Sequence, residues 1–233
     1  MIEAVFFDLG NTVVDYHSSP MDDTELDKIG LWKMHDYLKK RNVSISVDSL
    51  YDKFYLPWTS LFPSRKNMKK EIDVYDILKQ IIPISQDDFK EIIIEFHEPS
   101  ARMAKKVNGI DSCLKELKDK SIKIALVSNT PLPGYCQDLT LSKLNLLEFF
   151  DIRIYSYDIG IRKPDMQIFK IVAEKLQSDI SNCAMVGDSY ELDIKPTIDL
   201  GMKSIWFNRN VNNNLTEEED LIISNYSDLL KKL

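Results

Sequence analysis

Val5-Phe6-Phe7-Asp8-Leu9-Gly10-Asn11-Thr12 decides how this chain is read, because it carries a lone carboxylate off the end of a buried apolar strand. Ala4 to Phe7 is a short continuous run of strand formers, the pattern of a central parallel strand covered on both faces. Gly10-Asn11 ends it with turn chemistry. Asp8 therefore stands at the carboxyl end of a strand, where open α/β sheets bind their ligands, and is a candidate nucleophile. An Asp in such a place also serves simply to accept from loop amides, so the rest of the chain must decide.

Working outward, the apolar spacing turns helical for the next ninety or so residues. Leu31, Met34, His35 and Leu38 follow helical periodicity, as do Tyr51, Phe54, Tyr55 and Trp58, then Val74, Ile77, Leu78 and Ile81, then Phe89, Ile92, Ile93 and Phe96. The spacing predicts four amphipathic helices between about Asp22 and Met103, weakened at Gly30 and kinked or split at Pro57, packing around a core of their own.

From Asn108 onward helix and strand alternate. Helices are expected around Ile110 to Leu117, Leu139 to Phe149, Phe169 to Leu176 and Leu192 to Leu200, the last closed by Gly201. Strands are expected at Lys123 to Val127, Ile152 to Tyr155, Cys183 to Val186, Lys203 to Phe207 and Leu221 to Ile223, with Asn208 to Glu219 an exposed loop. This rhythm argues for a Rossmann-like α/β fold, a parallel sheet with helices on both faces, interrupted after its first strand by an inserted α-helical domain. The expected domains are 1–15 with 108–233 for the sheet and 16–107 for the insert.

Composition limits the function. The 233 residues are 44% apolar and 29% charged, enough for one core plus a smaller insert. A net charge of -7 gives no support to a nucleic-acid partner and demands a local device if the substrate is an anion. Cys113, Cys136 and Cys183 are isolated and lack metal spacing, which argues for a reducing, cytoplasmic setting over a disulfide framework. Neither a signal peptide nor a membrane-spanning run is legible.

Three strands end in polar residues, Asp8, Ser128 and Asp188, and a parallel sheet brings such ends to one edge. Asp8 and Asp188 repel unless a cation lies between them, and hard oxygen ligands suit Mg²⁺. The Ser128 hydroxyl and the amides of the Asn129 and Gly10-Asn11 turns suit phosphate oxygens, while Lys163, expected just ahead of a helix begun by Pro164, adds positive charge. Metal and lysine together make a locally positive site on an acidic protein. Each signal alone has an ordinary alternative, a helix cap, a surface lysine or a turn; in this order, at these element ends, they converge.

With these motifs, and with Phe149-Phe150-Asp151, Gly160 to Asp165, Val186-Gly187-Asp188-Ser189 and Gly201-Met202, the chain resembles the haloacid dehalogenase-like superfamily of hydrolases, with a helical cap between the first and second motifs. The resemblance implies Asp8 as nucleophile and metal ligand, the Gly10 carbonyl and Asp188 as further ligands, and Ser128 as a phosphate contact. It implies Lys163 as the residue orienting nucleophile and phosphate, and Asp193 as its support or that of a metal-bound water. Gly10 departs from the usual phosphatase pattern, which has an Asp acid and base there, a loss worth roughly 10²- to 10⁴-fold.

The expected function is Mg²⁺-dependent hydrolysis of a small phosphorylated metabolite through an aspartyl-phosphate, favouring good leaving groups. The alternatives are a 2-haloacid dehalogenase and a catalytically silent phosphate-binding protein of the same fold. A replacement acid, if present, is sought in Asp15, Tyr16, the cap or water. Candidate specificity contacts are His17, Ser18, Trp32, Arg65, Lys66, Lys69 and Lys70, although Trp32 reads more simply as cap core and the basic run as a solvated face. Monomer and homodimer are both open.

Overall fold

The structure, a computed structural model, describes residues 2–68, 70–209 and 222–233. The chain enters β1 (Ala4–Phe7), and β2 (Val14–Asp15) then pairs antiparallel with β3 (Lys105–Lys106). Between β2 and β3 run α1 (Asp23–Lys40), α2 (Val47–Leu50), α3 (Leu56–Ser60), α4 (Val74–Leu78) and α5 (Gln86–Met103). Next come α6 (Ile110–Asp119), β4 (Lys123–Ser128), α7 (Gly134–Lys143), β5 (Ile152–Tyr155), α8 (Ser156–Ile159) and α9 (Gln167–Leu176). The chain ends in β6 (Cys183–Gly187), α10 (Lys195–Asp199), β7 (Lys203–Phe207), β8 (Ile222–Ile223) and α11 (Leu229–Lys232). Six strands form a parallel sheet of order β5-β4-β1-β6-β7-β8.

Alternation along β1 shows both faces covered. Val5 and Phe7 join a cluster with Leu114 and Leu117 of α6, whereas Ala4 and Phe6 join one with Phe169 and Val172 of α9. All four β1 side chains are fully buried, as expected where a strand faces helices on both sides. The neighbours of β1 are β4 and β6, so Asp8, Ser128 and Asp188 arrive at one sheet edge.

Helix α1 starts with a capping box between Asp22 and Glu25, and its acidic first turn and basic last turn suit the helix dipole. Gly30 does not break it. A Cβ there would collide with the Phe96 carbonyl, so the glycine lets α1 and α5 approach closely. Pro57 does not split its helix: the chain stays helical from Val47 to Ser60, with a π-helical stretch, Tyr51–Tyr55, ahead of α3 and the proline in the first turn of α3. The helical block has its own cluster, including Met34, Phe54, Trp58, Ile92 and Phe96, joined by Leu132 and Cys136 from the sheet-bearing part. Trp32 is not in that core: it is 58% exposed, because it lies off the stripe formed by Leu31, Met34 and Leu38.

Other element boundaries also differ from expectation. α7 begins five residues before Leu139 and ends at Lys143, because Asn145 adopts a positive φ there and a separate 3₁₀ turn covers Leu147–Phe149. The helix after Lys163 starts only at Gln167, whose amide is capped by Asp165. Most of the expected Asn208 to Glu219 loop, and Leu221, lie outside the described residues. The three cysteines are buried and unpaired, and no helix among the described residues is long and apolar enough to cross a membrane.

Where α5 meets α7, buried His97 shares a 2.9 Å hydrogen bond between Nε2 and the Thr140 hydroxyl. Burial pushes the imidazole down to about 4 from its ordinary 6.5. Between those values the unfolded chain takes up a proton that the folded chain refuses, so this contribution is complete above pH 6.5 and falls as pH drops toward 4. Lowering the pH from 7.5 to 5.0 should remove about 2 kcal/mol of stability through this residue. Urea unfolding of wild type and His97→Gln at both pH values tests it: the stability difference between them should shrink at pH 5.0, and a pH-independent difference would refute the assignment.

Candidate active site

Asp8 leaves β1 with its amide bonded to the Val186 carbonyl of β6 at 2.9 Å. Its carboxylate Oδ1 accepts from Lys163 Nζ at 2.6 Å. The same ammonium donates to Asp193 Oδ1 at 2.6 Å and to the Val127 carbonyl at 2.9 Å. A lysine has three N–H donors, and here the protein takes all three. In this arrangement Lys163 fixes the nucleophile candidate and keeps no hydrogen for a phosphate oxygen.

Burial alone would push the Lys163 ammonium down; the Asp193 and Asp8 carboxylates outweigh it and hold the group above the usual lysine range. Burial pushes the Asp193 carboxyl up, against the pull of Lys163. Its second oxygen accepts from the Ser189 amide at 3.1 Å. A Cβ on Gly187 would lie 2.5 Å from Asp193 side-chain atoms, so glycine at the end of β6 makes room for this carboxylate.

Asp188 follows β6. Its Oδ2 accepts from Asn11 Nδ2 at 3.2 Å, and its carbonyl accepts from Trp206 Nε1 at 2.8 Å. Burial raises its carboxyl, the charge of Asp8 adds to the rise, and Asn11 opposes it. Asp8, Asp188 and Asp193 each bring a carboxylate oxygen within 4.8 Å of the others. Both Asp193 oxygens are engaged, so Asp8 and Asp188 are the pair that fits a hard divalent cation. A cation between them would relieve the repulsion that raises Asp188.

One expected phosphate contact acts differently here, and a second residue has an added task. The Asn11 amide is not free: it donates to the Val14 carbonyl at 2.8 Å, because the turn folds back at a positive φ, and Asn11 instead braces Asp188. Asn129 uses its side chain to clamp the Lys163 backbone, donating to its carbonyl and accepting from its amide, each at 2.9 Å. Ser128 is buried at the end of β4.

Gly10, Ser128 and Asn129 open onto a cavity of about 430 Å³, in the range of small-ligand sites. Its far wall comes from the helical block and includes Asp27, Trp58, Phe62 and Arg65. Arg65 is only 18% exposed, so it is not part of a solvated basic face; the side chains of Lys66 and Lys69 lie outside the described residues. Among the sought acids, Asp15 is held below the usual carboxylate range, burial being outweighed by Arg209 at 3.2 Å. Tyr16 is driven upward by burial and donates to Gln137 at 2.6 Å. Asp27 differs from both, because burial pushes its carboxyl up to about 6. Of the candidate specificity contacts, His17 and Arg65 line this cavity; Trp58 read only as part of a buried helical stripe, and Asp27 carried no periodic signal.

Known proteins share this architecture. The chain is 23% identical over 211 residues to the glyceraldehyde 3-phosphate phosphatase of Pyrococcus abyssi, spanning 89% of this chain and 82% of that one. A solved HAD phosphatase from Thermococcus onnurineus superposes with a TM-score of 0.64 at 26% identity, covering 99% of this chain and 97% of the other. The 2-haloacid dehalogenase of Pseudomonas syringae pv. Tomato shares the fold, with a TM-score of 0.65 at 21% identity, covering 100% of this chain and 98% of the other. The family model described as haloacid dehalogenase-like hydrolase matches residues 2–201, and with that extent of match the chain belongs to the haloacid dehalogenase-like hydrolases.

Proposed function

We propose that the protein is a Mg²⁺-dependent phosphohydrolase of small phosphorylated metabolites, with residues 16–107 as a cap over a core of residues 1–15 and 108–233. The observation that carries the reading is the Lys163 ammonium held between Asp8 and Asp193, with Asp188 beside them. The similarity to named phosphatases supports it.

Asp8 attacks phosphorus in line, giving an aspartyl-phosphate and the free leaving group, and water then cleaves the acyl phosphate. Lys163 holds the attacking carboxylate by its other oxygen, and Asp193 holds Lys163. Ser128 donates to a phosphoryl oxygen. When bound to Asp8, Asp188 and the Gly10 carbonyl, Mg²⁺ supplies positive charge for the phosphoryl oxygens. The helical block shields the cleft from water.

Dehalogenation is less favoured, since attack on carbon uses no cation and would leave Asp188 repelling the nucleophile. A chelator should abolish turnover of phosphate esters and Mg²⁺ should restore it; chelator-insensitive chloride release from a 2-haloacid would reverse the ranking. Phosphate release across an aryl and alkyl phosphate series should fall steeply as leaving-group pKa rises, because Gly10 has no proton to give. A flat dependence would overturn that reading and point to Asp27, with Asp27→Asn then restoring the steep slope.

A further inference from the structure

Beside the cavity, the helical block and the sheet-bearing part share a buried cluster with more positive than negative charge. Glu71, its side chain 3% exposed, accepts Arg65 Nε and Nη2 on Oε2 at 3.1 and 2.9 Å. The same oxygen accepts Arg162 Nη1 at 3.1 Å, and Oε1 accepts from the Ser156 hydroxyl at 2.6 Å. Among the described residues, Glu71 is the carboxylate that answers both guanidiniums. Arg162 Nε has no hydrogen-bond partner. Burial lowers the Arg162 guanidinium's affinity for its proton, Glu71 restores part of it, and Arg65 lowers it further. Buried charge is ordinarily matched, and this cluster is short of one anion.

Arg65 is the guanidinium that can reach one. It lines the cavity holding Gly10 and Ser128, whereas Arg162 does not. Glu71 grips Arg65 by Nε and Nη2, which fixes the plane of the fork and leaves Nη1 uncommitted to it. On the same wall Trp58 is 3% exposed and its indole N–H finds no acceptor. The facing carboxylates do not answer Arg65: Asp23 lies 3.6 Å from His17, and Asp27 bonds to Tyr55. An indole N–H without an acceptor and a guanidinium whose Nη1 lies outside the grip of Glu71 call for an acceptor-rich group at this wall.

We infer that Arg65, positioned by Glu71, binds a second anionic group on the leaving-group side of the substrate, a carboxylate or another phosphate. The inference rests on the phosphohydrolase reading of the same site. It narrows the substrate class to small phosphate esters bearing a further negative charge.

The test compares 3-phosphoglycerate, 1,3-propanediol bisphosphate and glycerol 3-phosphate, three-carbon esters bearing a carboxylate, a second phosphate and no second anion. Wild-type kcat/KM should be at least about 10-fold higher for one of the doubly anionic esters, and which one identifies the anion. Arg65→Gln should lower that value roughly 30- to 100-fold while changing glycerol 3-phosphate less than about 3-fold. Arg65→Lys keeps a charge on Glu71 and guards against misfolding; it should show the same selective loss at roughly 10-fold. Equal wild-type use of all three esters, or a uniform loss in the variants, would overturn the assignment. If none of the three is turned over, calorimetry with phosphonoacetate and methylphosphonate decides the subsite, and the phosphohydrolase reading falls only if aryl phosphates are left intact as well. Tighter binding of phosphonoacetate that Arg65→Gln removes would uphold it; equal binding of the two, or none, would overturn it.

Discussion

Asp8→Asn should lower Mg²⁺-dependent phosphate release by at least about 10⁴-fold, the scale on which loss of a covalent nucleophile shows. Asparagine keeps the shape of the side chain and its carbonyl can still accept from Lys163 Nζ, which lies 2.6 Å from Asp8 Oδ1 in the native site. What it loses is the oxygen nucleophilicity of an ionised carboxylate. Fold and ligand binding should therefore survive, and phosphate should bind no more weakly, since one negative charge facing it is gone. Acid quench of the wild type during turnover should trap an acid-stable phosphoenzyme, absent from the variant. Retained turnover above about 1% of wild type would show that water attacks phosphorus directly and that Asp8 serves another end.

The reach of sequence reading at this site follows from where each signal comes from. Asp8, Ser128 and Asp188 were legible because a parallel sheet delivers strand ends to a common edge, whatever the spacing along the chain. Lys163 was legible as a charge near that edge, and the family resemblance implied Asp8 and Asp193 beside it, but the spending of every hydrogen within the protein was not legible. That its three hydrogens go to Asp8, Asp193 and Val127 depends on the late start of α9 and the Asn129 clamp, both set by a loop with no periodicity. Asn11 was misread for a related reason. A Gly-Asn turn often leaves its amide free, but here the chain folds back locally at the positive φ of Asn11, and the Val14 carbonyl takes the hydrogen.

The cavity wall built from the helical block was harder still. Helical periodicity identifies which face of a helix is buried and says nothing of what that face meets. Trp32 and Trp58 are both aromatic residues in helical segments, yet one is exposed and the other lines the cavity. Arg65 sat in what read as a solvated basic run, and only Glu71 and Arg162, brought together across two parts of the fold, show it to be a held residue. Such pairings have no local signature, so charge runs near a binding cleft are poorly judged by composition.

Removing the lysine should have the largest effect on stability. Lys163→Met leaves Asp8, Asp188 and Asp193 with oxygens within 4.8 Å of one another, two of them having lost the ammonium at 2.6 Å. Breaking a buried ion pair by deleting one partner typically destabilises by about 3–5 kcal/mol, because the remaining charge has neither water nor counterion. Two carboxylates are stranded here, which places the expectation at the upper end of that range. Lys163→Arg should recover little, since a planar fork cannot direct three hydrogens to Asp8, Asp193 and the Val127 carbonyl as the ammonium does. Urea unfolding of wild type and both variants, with and without Mg²⁺, reads this directly. A divalent cation should narrow the deficit of Lys163→Met, because it offers the stranded carboxylates a substitute charge. A deficit below about 1 kcal/mol, unchanged by Mg²⁺, would refute the ionised arrangement and mean that burial already keeps the Asp193 carboxyl protonated beside its lysine.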